Sequence, residues 1–126
     1  MFKGNARLEY HNSWIVANCE QDILEYYRWW FWRKTLIWLM KPRWGAHISV
    51  VRGHEEGYQY KEFLFEYQRV NLEIKFNYSN LLEQHNDGYV WMPVWGKDLE
   101  NIREECGLPR KPIMPFHMTV GKSDLL

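Results

Sequence analysis

The chain has 126 residues, 46% hydrophobic and 17% aromatic, with 16 basic groups against 16 acidic ones, five His and two Cys. That size and mixture predict one compact domain over residues 1–126 with a real core, and exclude disorder, collagen, coiled coil and a disulfide scaffold. A net charge of zero argues against long nucleic acid as a partner, because polyanion binding draws on many Lys and Arg contacts.

In chain order, Trp14 to Cys19 reads as a short strand running into a helix that starts near Glu20. Asn18 with Gln21 three residues later forms an N-cap and capping-box pattern. Acids fill the first turn, and Arg33 and Lys34 the last. Ile23, Tyr27, Trp30 and Lys34 mark one face with Leu24 and Phe31 beside it, while Tyr26, Trp29 and Trp32 spread aromatics around the rest. The helix is therefore expected to be covered on more than one side, and the Trp29 to Trp32 run to be core rather than a membrane anchor or a dimer surface.

Leu36 to Met40 reads as extended. Lys41 to Gly45 is a Pro-bearing loop that delivers His47 to Val51, a β-branched strand. Phe63 to Gln68 and Leu72 to Tyr78 alternate as half-buried strands and suggest an antiparallel pair. Asn86-Asp87-Gly88 is a turn, and Tyr89 to Trp95 a strand with Tyr89, Trp91 and Trp95 on one face and Val90, Met92 and Val94 on the other. Asp98 to Cys106 is a helix stopped by Gly107 at C′ and Pro109 beyond. Phe116 to Gly121 is the last strand. Strand, helix, Pro-bearing loop and His-strand thus occur twice, an internal duplication in outline.

The charges are uneven. Tyr26 to His54 and Cys106 to Ser123 hold nine of the 16 basic groups and no Asp or Glu, where an even spread would place about six acids. Both acid-free windows contain a His-strand, which favours a small anionic ligand. The longest stretches without formal charge, Tyr10 to Cys19 and Pro112 to Gly121, are ten residues each. That is about half of a membrane span, so no membrane partner is expected. The N-terminus lacks the apolar core of a secretory signal, and the lone Cys19 and Cys106 suit a reducing cytoplasm.

The two His-strands read Ala46-His47-Ile48-Ser49-Val50 and Phe116-His117-Met118-Thr119-Val120. Side chains two apart on a strand share a face, so His47 projects with Ser49 and His117 with Thr119, while their neighbours turn into a core. With six Ser and Thr in the chain, five His would meet about 0.24 such pairs by chance. Two imidazoles and two hydroxyls are what phosphodiester cleavage needs without a metal: a base for the attacking oxygen, an acid for the leaving oxygen, and donors for the phosphoryl oxygens. There is no CxxC, HxH, HExxH, P-loop or GxGxxG, so no metal or cofactor is expected. His11, His54 and His85 are expected at the surface.

The HIS and HMT motifs, one per half, resemble the 2H phosphoesterase superfamily, with its two H-x-[ST] motifs. The longer phrases Trp44 to Gly53, Tyr89 to Trp95, and Ile102-Arg103 through Gly107-Leu108-Pro109 are most similar to the phage anti-CBASS phosphodiesterases. The resemblance implies a bilobal α+β fold of two antiparallel sheets lining a central cleft, helices outside and a pseudo-two-fold axis. It also implies metal-independent hydrolysis of cyclic di- or trinucleotide second messengers, with His47, Ser49, His117 and Thr119 as the reaction centre, in the cytoplasm of a bacterial host. The chain stops nine residues past His117, so contacts that longer relatives draw from a C-terminal extension are expected to be missing or supplied elsewhere.

Aromatic side chains suit base stacking. Tyr10, Trp44, Trp91 and Trp95 are candidates for the substrate walls, and Arg52 and Lys122 for phosphate neutralisation. Competing readings are an RNA-end phosphoesterase acting on 2′,3′-cyclic phosphates or 2′–5′ linkages, a non-catalytic cyclic-nucleotide sponge, and a protein-interaction module built on the Trp-rich helix.

Overall fold

The computed structural model describes residues 2–11, 14–55, 57, 72–84 and 87–126. The strand predicted at Phe63 to Gln68, and with it the central hairpin, lies outside these residues, as does His85. In chain order the elements are β1 (Phe2–His11), β2 (Trp14–Cys19), α1 (Gln21–Thr35), β3 (His47–Val51), β4 (Glu73–Tyr78), β5 (Glu83–Gln84), β6 (Tyr89–Trp95), α2 (Lys97–Glu105) and β7 (His117–Lys122).

The strands form one antiparallel sheet in the order β4-β1-β2-β3-β7-β6-β5. It closes on itself where Asn77 and Tyr78 of β4 pair with Trp95 and Val94 of β6. Six of the described strands thus make a barrel-like ring, with β5 added to β6. This corrects the expected two separate sheets flanking a cleft. The reason is β1, whose ten residues are long enough to hydrogen-bond β2 along one edge and β4 along the other, joining what would otherwise be two sheet edges.

Alternation decides what faces inward. Ala17, Ile48, Val50, Val90, Met92, Met118 and Val120 are buried in a core cluster that also takes Leu24, Tyr27 and Phe31 from α1 and Leu99 and Ile102 from α2. Burying each large apolar side chain contributes about 1.5–3 kcal/mol. Helix α1 packs against β7, and α2 against β3 and β4. No helix among the described residues is long and apolar enough to cross a membrane.

Helix α1 departs from expectation in two ways. Its buried residues are Leu24, Tyr27 and Phe31, whereas Tyr26 and Trp29 are 54% and 47% exposed, so it is covered on one side. Its outward rings pair with its own cations instead, with Arg33 over Trp29 and Lys34 over Trp30. The capping box also does not form. Glu20 is the N-cap without a side-chain cap bond. Gln21 instead donates from Nε2 to the Cys19 carbonyl at 3.2 Å and accepts the Ala46 amide on Oε1 at 3.0 Å. That bridge pins the end of the basic loop just ahead of His47.

The same loop crosses the end of β7. Met40 and Lys122 exchange both backbone hydrogen bonds, at 2.8 and 3.2 Å. Arg28 holds the crossing from α1, donating Nε and Nη2 to the Leu39 carbonyl at 3.2 and 2.6 Å. Gly121 lets it approach: a Cβ there would lie 2.5 Å from Leu39 Cβ and 2.6 Å from the Met40 oxygen. At the other helix, Gly107 is left-handed (φ 78°) as predicted. The Gly107 and Leu108 amides donate to the Glu104 and Arg103 carbonyls, both at 3.0 Å, a Schellman ending.

Candidate functional site

Strands β3 and β7 lie side by side and antiparallel, with Ile48 opposite Met118. Carrying that register one step each way sets His47 opposite Thr119 and Ser49 opposite His117, positions about 5 Å apart across an antiparallel pair. All four side chains project from the face away from the core, because Ile48 and Met118 between them are fully buried. The flanking strands complete that face: Asn18 and Val16 of β2 sit opposite His47 and Ser49, and Pro93 and Trp91 of β6 opposite His117 and Thr119.

The two imidazoles are held alike. His47 Nδ1 lies 3.0 Å from the Gly45 carbonyl, and His117 Nδ1 lies 2.9 Å from the Pro115 carbonyl. A carbonyl only accepts, so each Nδ1 carries the donated hydrogen and each Nε2 is the basic nitrogen of the neutral ring. Each ring also has an indole neighbour. Trp44 is tilted against His47 at 5.7 Å, and Trp91 stands edge-on to His117 at 5.5 Å. Two rings with the same nitrogen turned outward, beside two hydroxyls, can take a proton on one side of a bound group and return one on the other.

A cavity of about 240 Å³ opens beside His117 and Thr119, lined also by Arg52, Asp87, Tyr89, Trp91 and Met114. His47 and Ser49 are on the adjacent strand, outside that lining. Lys122 is outside the lining too, with Nζ 5.2 Å from the ring centroid of Tyr89, one of the lining residues. Of the predicted walls, Trp44 and Trp91 are thus next to the histidines; of the predicted cations, Arg52 lines the cavity and Lys122 does not.

Tyr10 and Trp95 are not brought in. Tyr10 pairs with Ile15 and packs against the core cluster, because its place in the β1 alternation turns it inward. Trp95 belongs to the β6 face expected for it, but at the far end, opposite Asn77 of β4. The predicted inward aliphatic face of β6 is as expected, with Val90, Met92 and Val94 buried.

Several residues at the site have no signal in the sequence. Asp87 and Met114 come from loops. Trp14 packs edge-on to both Trp44, at 6.3 Å, and the exposed His54, at 5.8 Å. Behind Arg52 lies a buried ion pair. Arg103 of α2 is 2% exposed and donates from Nη1 and Nη2 to both Glu55 oxygens at 3.0 and 2.9 Å, from Nη1 also to the Val50 carbonyl at 3.0 Å, and from Nε to the Pro109 carbonyl at 2.8 Å. Glu55 in turn accepts the Arg52 amide at 2.8 Å. Burial works to raise the Glu55 carboxyl, but the Arg103 hydrogen bonds and the Arg52 amide outweigh it and hold it below the usual carboxylate range. The pair ties α2 to the end of β3 and fixes the backbone that carries Arg52.

A family model described as "Swiss Army Knife, 2H phosphoesterase domain" matches residues 33–125, which include both His-x-hydroxyl strands and the loops before them. No curated protein and no solved structure matches the chain. With the match extending over most of the chain and two H-x-[ST] strands side by side at the centre of its sheet, the chain belongs to the 2H phosphoesterases.

Proposed function

We propose that the chain is a metal-independent phosphodiesterase that hydrolyses 3′–5′ linkages in cyclic di- or trinucleotide second messengers, by which a phage evades host CBASS immunity. The observation that carries the catalytic part is the matched pair of imidazoles, each with Nδ1 committed to a backbone carbonyl. A small ligand is favoured by the size of the cavity, by zero net charge, and by cations concentrated in the two acid-free windows. Trp44 and Trp91, one beside each histidine, suit bases on the two sides of one phosphodiester.

In this mechanism Nε2 of one His takes the proton of a ribose 2′-OH as its oxygen bonds to phosphorus. The bond from phosphorus to the 5′-oxygen breaks, and the other His, which enters the step as the imidazolium with a second proton on Nε2, gives that proton to the oxygen. Ser49 and Thr119 hold the phosphoryl oxygens. The resulting 2′,3′-cyclic phosphate is then opened by water with the two imidazoles exchanging roles.

The test is incubation with a panel of cyclic di- and trinucleotides and 2′,3′-cyclic-phosphate RNA ends, with and without EDTA, and products identified by mass spectrometry. Turnover of cyclic oligonucleotides that resists EDTA and fails on 2′-deoxy analogues is the expected result. Cleavage confined to RNA ends would replace the substrate class. Stoichiometric binding without product would make the protein a sponge.

A further inference from the structure

The cavity beside His117 contains a charge that phosphate chemistry does not explain. Arg52 suits an anion, yet Asp87 lines the same cavity. A carboxylate repels a phosphodiester sharing its space, so its presence calls for a ligand group that donates hydrogen bonds.

Asp87 is also held in place. Its Oδ1 accepts the Tyr89 amide at 3.3 Å, a turn in which the side chain caps the start of β6. The next residue, Gly88, has φ 88° and lies against the Ser123 backbone, where a Cβ would collide. The Gly88 carbonyl accepts the Ser123 amide at 3.1 Å. The turn is thus docked onto the end of β7, and the carboxylate needs no ordering when a ligand arrives.

The neighbouring walls say which part of a nucleotide comes here. Tyr89 and Trp91 line the cavity with Asp87, and aromatic rings of this kind are stacking platforms for bases. Among the bases, guanine presents a ring N–H and an exocyclic amine side by side, a fork that matches two carboxylate oxygens as a guanidinium does. Uracil and hypoxanthine lack the amine. Each carboxylate oxygen has two acceptor positions, so the bond to Tyr89 leaves capacity for both contacts.

We propose that Asp87 is a specificity residue that selects guanine on the His117 side of the scissile phosphodiester. This rests on reading the site as a nucleotide phosphodiesterase centre. It is tested on the full chain by calorimetric titration with guanosine 3′-monophosphate and inosine 3′-monophosphate, which differ only in the exocyclic amine. In parallel, kcat/KM is measured on guanine- and hypoxanthine-containing cyclic dinucleotides.

Guanine is expected to be favoured by about tenfold or more in both measurements. Asp87→Asn keeps the turn through its own Oδ1 but presents a donor where an acceptor stood, and is expected to bring the ratio within about twofold. A wild-type ratio near one, a ratio that survives in D87N, or no binding of either nucleotide overturns the proposal. Loss of turnover on every cyclic dinucleotide would remove the phosphodiesterase reading, while the binding ratio would still decide base selection.

Discussion

Ile48 and Met118, the residues that follow the two histidines, face each other across β3 and β7 and are both fully buried. Because they point into the core, the His and hydroxyl side chains on either side must point out, and the register interleaves them. Each histidine then stands across from the hydroxyl of the other motif. Any one-residue slip between these strands would turn one motif into the core.

The locked Nδ1 atoms separate stability from chemistry. In His117→Asn the amide nitrogen takes the place of Nδ1 and can still donate to the Pro115 carbonyl, but nothing replaces Nε2. Turnover is expected to fall by about 100-fold or more, with a melting temperature within a few degrees of wild type. His47→Asn should behave the same way through the Gly45 carbonyl. Assays of both variants against one cyclic dinucleotide, beside thermal melts, check this.

Glu55 gives stability a defined dependence on pH. Its folded carboxyl titrates below its ordinary 4.5, so the unfolded chain binds the proton more readily. The contribution is present above the unfolded value and is lost as pH falls through the folded one. Wild-type stability should therefore decline below about pH 5, and Glu55→Gln should be less stable at neutral pH with a shallower acid decline. Glu55→Ala, which leaves the buried Arg103 without its carboxylate, should cost about 3 kcal/mol. Urea unfolding across pH gives both quantities.

Gly121 is required by the loop that crosses it. Gly121→Val would drive a side chain into Leu39 and the Met40 oxygen, costing about 1–3 kcal/mol. It should open the Met40 to Lys122 bridge first, seen as faster hydrogen exchange at those two amides than in the rest of β7.

Leu36 ends α1 in the left-handed region, φ 62° and ψ 22°, with its amide on the Trp32 carbonyl. Its side chain is 77% exposed, so packing does not compensate the steric penalty of that conformation. Leu36→Gly should stabilise the protein by about 1 kcal/mol, measured by equilibrium unfolding.

Cys19 is buried, and burial with the adjacent Glu20 charge pushes its thiol up to about 12. It should not react with a disulfide reagent at pH 8 until the chain unfolds. Labelling followed by mass spectrometry, with and without denaturant, shows this.

Much of the local structure was legible in the residues. β2, β3 and β6 coincide with the predicted strands, and α2 ends at the glycine expected to stop it. β1 is legible too. Phe2, Gly4, Ala6, Leu8 and Tyr10 alternate with Lys3, Asn5, Arg7, Glu9 and His11, a strand pattern that sets Tyr10 on the same face as the buried Ala6 and Leu8. The capping box at α1 is not legible from spacing alone, because Gln21 takes a tertiary partner, the Ala46 amide at the far end of the loop.

Local residue order sets the periods: which residues share a strand face, where helices stop, and that two His-x-hydroxyl pairs project from β-strands. These depend on backbone geometry over a few neighbouring residues. Long-range packing sets the rest: the sheet closes through β4 and β6, Arg103 clasps Glu55 from another element, and Asp87 and Tyr89, rather than Tyr10 and Trp95, line the cavity by His117. Those outcomes depend on which distant strands hydrogen-bond and in what register, a choice set by the packing of the whole core and not by any local spacing.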